Sequence, residues 1–111
     1  LGDVLFDNDR YNLKPETRAR ILDLAKRINQ AGRFEIRVEG HTDNSGQADY
    51  NLDLSQKRAR EVAGFLTKSL GTDPRSISWI GHGMTRPAAS NASADGRARN
   101  RRVEIILLTN E

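Results

Sequence analysis

The stretch Phe34-Glu35-Ile36-Arg37-Val38-Glu39 alternates apolar and polar residues with a period of two, then runs into Gly40-His41-Thr42-Asp43. Such alternation specifies a half-buried strand, because successive side chains point to opposite faces of a sheet. The segments on either side have a different period. Upstream, Ile21, Leu24, Ala25 and Ile28 form a helical stripe; downstream, so do Ala59, Val62, Ala63, Leu66 and Leu70. A strand between two one-striped helices must bury a sheet face under both of them.

The remaining elements follow from local signals. Leu1 to Phe6 reads as a short strand broken by Asp7-Asn8-Asp9-Arg10. Pro15 suits a first helical turn, and Gly32 a helix stop. Asn44-Ser45-Gly46 is turn chemistry. Ser55 is a candidate N-cap for the second helix, which alternatively starts nearer Asp49 and ends at Gly71. Ile77, Trp79 and Ile80 mark a third strand ending at Gly81-His82-Gly83, with Trp79 expected in the core. The segment from Met84 to Asn100 reads as a long loop. Arg101 to Leu108 is the last strand, with Val103, Ile105 and Leu107 on one face. The expected order is βαβαββ: an α/β chain of the α+β sandwich kind, with one mixed sheet and two helices packed on one face.

At 111 residues the chain is expected to form a single domain, 1–111, large enough for a core without disulfides. It contains no cysteine, which excludes thiol catalysis and cysteine metal sites. No apolar run is long enough to span a membrane. The chain starts at Leu1 and is expected to be a fragment of a longer protein whose export signal or membrane anchor lies elsewhere.

The chemistry concentrates where the alternating strand ends. Asp43 sits at its carboxyl end, and Arg58 follows fifteen positions later, in the first turn of the second helix if Ser55 caps it. An acid and an arginine in one βα crevice can read a zwitterion: the carboxylate takes an ammonium and the guanidinium takes a carboxylate. Taken singly, Asp43 also suits a turn acid capping backbone N–H groups, and Arg58 an exposed helix arginine. Asn51 either caps the second helix or offers its amide to a ligand. Alternation sends Arg101 to the side of Val103 and Arg102 to the other, so one can face the site and the other solvent.

Other chemistries find less support. His41 and Asp43 suggest a base with its orienter, but His82 is the only other histidine, and two histidines with scattered carboxylates make no clear metal set. His41 reads more simply as a strand-end residue hydrogen-bonded to a loop. No nucleophile elbow or phosphate loop is present, so no enzyme and no cofactor is expected. The net charge is +3, and five arginines fall between Arg86 and Arg102 against one acid, Asp95. That would suit nucleic acid, but aromatic residues are only 5% and no reading helix is evident, so no nucleic-acid partner is expected.

Five segments in this order resemble the OmpA C-terminal domain family, a peptidoglycan-binding module of Gram-negative envelopes. They are Val4-Leu5-Phe6-Asp7 with Leu13-Lys14-Pro15; Val38 to Asp43; Tyr50-Asn51-Leu52-Asp53-Leu54-Ser55-Gln56-Lys57-Arg58-Ala59; Gly81-His82-Gly83 with Pro87; and Asn100-Arg101-Arg102-Val103-Glu104-Ile105. The resemblance implies non-catalytic binding of the peptidoglycan stem peptide at diaminopimelate. Asp43 would hold the ligand's ammonium and Arg58 its carboxylate, with Asp7, Thr42, Asn51 and Arg101 in support. It also implies a periplasmic domain of a Gram-negative envelope protein, most often of the outer membrane. Asn8 departs from the family pattern, where an apolar residue often follows the Phe-Asp pair. A nucleic-acid-binding domain and a cell-wall hydrolase stand as the alternatives.

Overall fold

The computed structural model describes residues 13–31, 34–71 and 74–109. The expected strand at Leu1 to Phe6, the site candidate Asp7 and the helix stop Gly32 lie outside the described residues. The elements in chain order are α1 (Pro15–Ala31), β1 (Phe34–His41), α2 (Ala48–Leu70), β2 (Ile77–Gly81), α3 (Ala94–Asn100) and β3 (Arg102–Thr109), with one 3₁₀ turn at Pro74–Ser76. β1 is the middle strand. It pairs in parallel with β2, in the register Ile36–Ile77 to Gly40–Gly81, and antiparallel with β3, from Phe34–Thr109 to His41–Arg102. This is the mixed sheet of an α+β sandwich.

The two expected stripes make the core. Ile21, Ala25 and Ile28 of α1 and Ala59, Val62, Ala63 and Leu66 of α2 pack with Ile36, Val38, Ile77 and Val103 of the sheet. Burying side chains of this size contributes about 1.5–3 kcal/mol each. Ile105 is only partly buried and Leu107 is exposed, so the apolar face of β3 fades toward its end. Trp79 is not core: it is 44% exposed. Among the described strands β2 lies at the sheet edge, and the Trp79 ring opens onto a groove shared with Leu13, Arg18, Arg60, Ala63 and Ile77.

α2 starts at Ala48, about two turns before Ser55. Its N-cap residue, Gln47, has an extended backbone and makes no side-chain capping bond. Ser55 is therefore an interior residue; its hydroxyl donates to the Leu52 carbonyl at 2.8 Å and accepts from the Gly83 N–H at 2.9 Å. Gly71 closes the helix in the left-handed region, φ 61°, its N–H reaching the Thr67 carbonyl at 3.0 Å.

The segment from Met84 to Asn100 is not all loop, because it ends in α3. Ser93 caps that helix by accepting the Gly96 N–H at 3.0 Å, and Asp95 lies in its first turn. The loop before it is organised by Asn100, which is fully buried. Its Oδ1 accepts from the N–H groups of Ala88 and Ala89 at 2.7 and 2.9 Å. Its amide donates to the Ala89 carbonyl at 3.0 Å and to Asn91 Oδ1 at 2.8 Å.

The glycines at the strand ends set how close α2 lies to the sheet. A Cβ on Gly40 would fall 2.2 Å from the Ser55 carbonyl oxygen, and one on Gly81 2.3 Å from the Gln56 nitrogen. Both obstacles are backbone and cannot rotate away. Within α2, a Cβ on Gly64 would meet nothing within 4 Å. Gly40→Ala is expected to destabilise the fold by about 3 kcal/mol or more, and Gly64→Ala to stabilise it by about 0.5–1 kcal/mol. Urea unfolding of the two variants, which should move in opposite directions, checks both.

Candidate functional site

Where β1 ends, the chain is held on two sides. The Thr42 N–H donates to the Gly83 carbonyl at 2.8 Å, which ties it to the turn after β2. The Thr42 hydroxyl donates to the carbonyl of Asp43 at 2.9 Å, and both residues are buried. Asp43 Oδ1 accepts the Ser45 N–H at 2.8 Å, the turn-acid role left open by the sequence. Its other oxygen, Oδ2, accepts from Arg101 Nη1 at 2.6 Å. Burial by itself would push the Asp43 carboxyl up. The Ser45 N–H and the Arg101 guanidinium outweigh it, and the group titrates below the ordinary aspartate range. Asp43 is thus a buried carboxylate that is ionised at neutral pH.

Asn51 neither caps α2 nor points its amide outward. It lies inside the helix, and its Nδ2 donates to the Ser45 carbonyl at 2.7 Å, closing the 43–46 turn from below. Arg58 is well inside α2 rather than in its first turn. It is half-buried and shares a helix face with Asn51, Ser55 and Val62, at spacings of three and four residues. The partner that the structure gives Asp43 is therefore Arg101. Alternation left open which of Arg101 and Arg102 turns to the site, and it does not apply to Arg101, which closes α3 rather than opening β3. Arg102 does not face solvent. Its guanidinium donates to Glu104 at 2.8 Å and to the carbonyls of Asn100 and Arg86 at 3.3 and 3.1 Å.

His41 and Asp43 do not form a dyad. Neither ring nitrogen of His41 has a hydrogen-bond partner, so the expected loop hydrogen bond is not made. Burial foremost, with the Arg102 charge adding to it against an opposing pull from Glu104, lowers the His41 pKa to about 4. Within the arginine-rich segment Arg99 is exposed, and four other arginines have contacts within the chain. Arg97 donates to the Asn91 carbonyl at 3.0 Å, Arg86 lies 3.8 Å from Glu39, and Arg101 and Arg102 are held as above. Asn100 and Glu39 are the polar residues that sequence reasoning missed. The burial of Glu39 at a strand position that alternation assigns to the polar side is visible only once the sheet is assembled.

A family model described as OmpA family matches residues 5–101. Outer membrane protein A of Bordetella avium is 44% identical over 107 residues, 96% of this chain and 55% of that protein. The peptidoglycan-binding protein ArfA of Mycobacterium tuberculosis is 36% identical over 106 residues, 96% of this chain and 32% of that protein. Among solved structures, the cell wall anchor of the type VI secretion system (T6SS) from Pseudomonas aeruginosa superposes with a TM-score of 0.88 at 38% identity. It covers 97% of this chain and 77% of that one. The chain thus spans about a third to a half of the length of these two full-length relatives.

Removing the guanidinium beside Asp43 should raise that carboxyl's pKa, because Arg101 lowers it both by hydrogen bond and by charge. In Arg101→Ala the Asp43 side-chain carbon is expected to titrate at higher pH than in the wild type. An NMR titration reads this directly, and an unmoved midpoint would mean that the 2.6 Å ion pair is not made in solution.

Proposed function

The chain belongs to the OmpA family, and we propose that it binds the peptide stem of peptidoglycan without cleaving it, anchoring a larger envelope protein to the cell wall. The observation that carries this reading is Asp43: a buried, ionised carboxylate at the carboxyl end of the middle strand, fixed by Ser45 and Arg101. Ligands of open α/β sheets bind at such strand ends. A preorganised carboxylate there suits an ammonium group. Two of the similar proteins are described as a cell wall anchor and as peptidoglycan-binding, which supports the same partner.

The finer reading concerns the residue recognised. Diaminopimelate ends in one carbon bearing both an ammonium and a carboxylate. Asp43 takes the ammonium and Arg58 takes the carboxylate. Thr42 and Asn51 shape the turn around Asp43, and Arg101 keeps it ionised. Asp7 is assigned a supporting role by the family pattern alone. No cofactor enters this chemistry. Affinity for one stem is modest, since a small polar ligand buries little apolar area, and many stems on one sacculus supply avidity. The module belongs on the periplasmic side of a Gram-negative envelope, and an outer-membrane parent fits relatives named as outer membrane proteins. No helix among the described residues is long and apolar enough to cross a membrane.

The domain is expected to co-sediment with purified sacculi and to release no soluble fragments from them. Titration with matched tripeptides separates wall binding from diaminopimelate recognition. A lysine stem should bind about 1.5–3 kcal/mol more weakly, the usual worth of a hydrogen bond to a charged group. Asp43→Ala and Arg58→Ala should each cost about 2–5 kcal/mol while leaving the circular dichroism spectrum unchanged. Equal affinities for the two stems would remove the role of Arg58 even if sedimentation persisted. Failure to sediment at low salt would remove the function itself.

A further inference from the structure

The sheet face turned away from the helices carries a polar cluster that the Asp43 site does not use. In β1, Glu39 and His41 are two residues apart and so share this face. Across the ladder, Glu39 pairs with Glu104 and His41 with Arg102. Gly40 pairs with Gly81 on the other side, and the His82 N–H donates to the Gly40 carbonyl at 2.9 Å, which sets His82 beside His41. The two imidazoles lie stacked, with centroids 5.1 Å apart. His82 Nε2 meets Glu39 Oε1 at 2.5 Å.

One ligand atom from each of Glu39, His41 and His82 lies within 4.8 Å of the other two. His41 is 3% exposed, and both of its ring nitrogens lack a partner. A buried imidazole with no hydrogen bond is costly unless something else satisfies it. We infer that Glu39, His41 and His82 bind a divalent cation of the zinc class, at a site distinct from the Asp43 turn. Two imidazoles and a carboxylate suit zinc and its neighbours in the transition series, not magnesium or calcium, which prefer oxygen. Donors on one tetrahedral ion stand about 3.3–3.5 Å apart, given bonds of about 2.0–2.2 Å. The three atoms, all within 4.8 Å of one another, need draw in by no more than about 1.5 Å to reach that. Glu104 Oε2, 3.8 Å from His41 Nε2, offers a fourth donor. The charges of Glu39 and Glu104 offset those of Arg86 and Arg102, the cations nearest to them. The sequence reading weighed His41 and His82 together but not Glu39, which meets His82 only through a contact spanning 43 residues.

Zinc chloride titrated into the whole chain by calorimetry is expected to bind with one equivalent per molecule. It should also shift the imidazole nitrogen resonances of both His41 and His82. His82→Gln and Glu39→Gln should each weaken zinc binding by at least about tenfold with the fold retained, whereas Asp43→Ala should not change it. The test does not lean on His41→Ala, since that buried position could fail to fold. Absence of saturable binding to the wild type overturns the inference. So does zinc binding that leaves both imidazoles unshifted, or that survives His82→Gln undiminished. None of these outcomes bears on the sacculus experiment, so the two readings fail separately.

Discussion

The arrangement depends on α2 lying directly against backbone at the ends of β1 and β2. Gly40 and Gly81 pair with each other across the ladder, and neither leaves room for a side chain under the helix. That contact brings the Ser55 hydroxyl to the Gly83 N–H and the Asn51 amide to the Ser45 carbonyl. Both loops that leave the sheet at this end are fastened to one helix. The turn that carries Asp43 is therefore held by close packing. Small residues at the strand ends are the condition for having a shaped polar site there at all.

Charge is placed on both faces of this small sheet, and none of the key groups stands alone. Asp43 is held by Ser45 and Arg101, Glu39 by His82, and Arg102 by Glu104 and two carbonyls. Burying such pairs contributes little net stability, since desolvation takes back most of what attraction gives. Their value is positional: each fixes where a charged atom sits to within a side-chain rotamer. That is what recognition of a small polar ligand requires.

Much of this was legible before any coordinates. The period of two from Phe34 to Glu39 and the two helical stripes name nearly every core residue, because burial on one face forces those periods. The family resemblance named both Asp43 and Arg101, which the structure brings into contact. The start of α2 was left open by Ser55, whose capping chemistry is real but is spent on Gly83. α3 was hidden by its composition: seven residues with no large apolar side chain carry no apolar stripe, and only the Ser93 cap announces it. Trp79 failed for a positional reason, since strand order decides which strand is the edge and no local pattern encodes it. The pairing of Glu39 with His82 spans 43 residues, beyond any periodicity argument.

The consecutive residues Arg101 and Arg102 serve different carboxylates, one reaching Asp43 and the other Glu104. Their separation depends on where the ladder begins. Gain or loss of one residue between Asn100 and Val103 would exchange the two guanidiniums or strand both, while the hydrophobic face of β3 would be free to re-seat itself. Evolutionary drift in length should therefore be confined to the loop upstream of Asn91, and this junction should keep its spacing even where its residue types change.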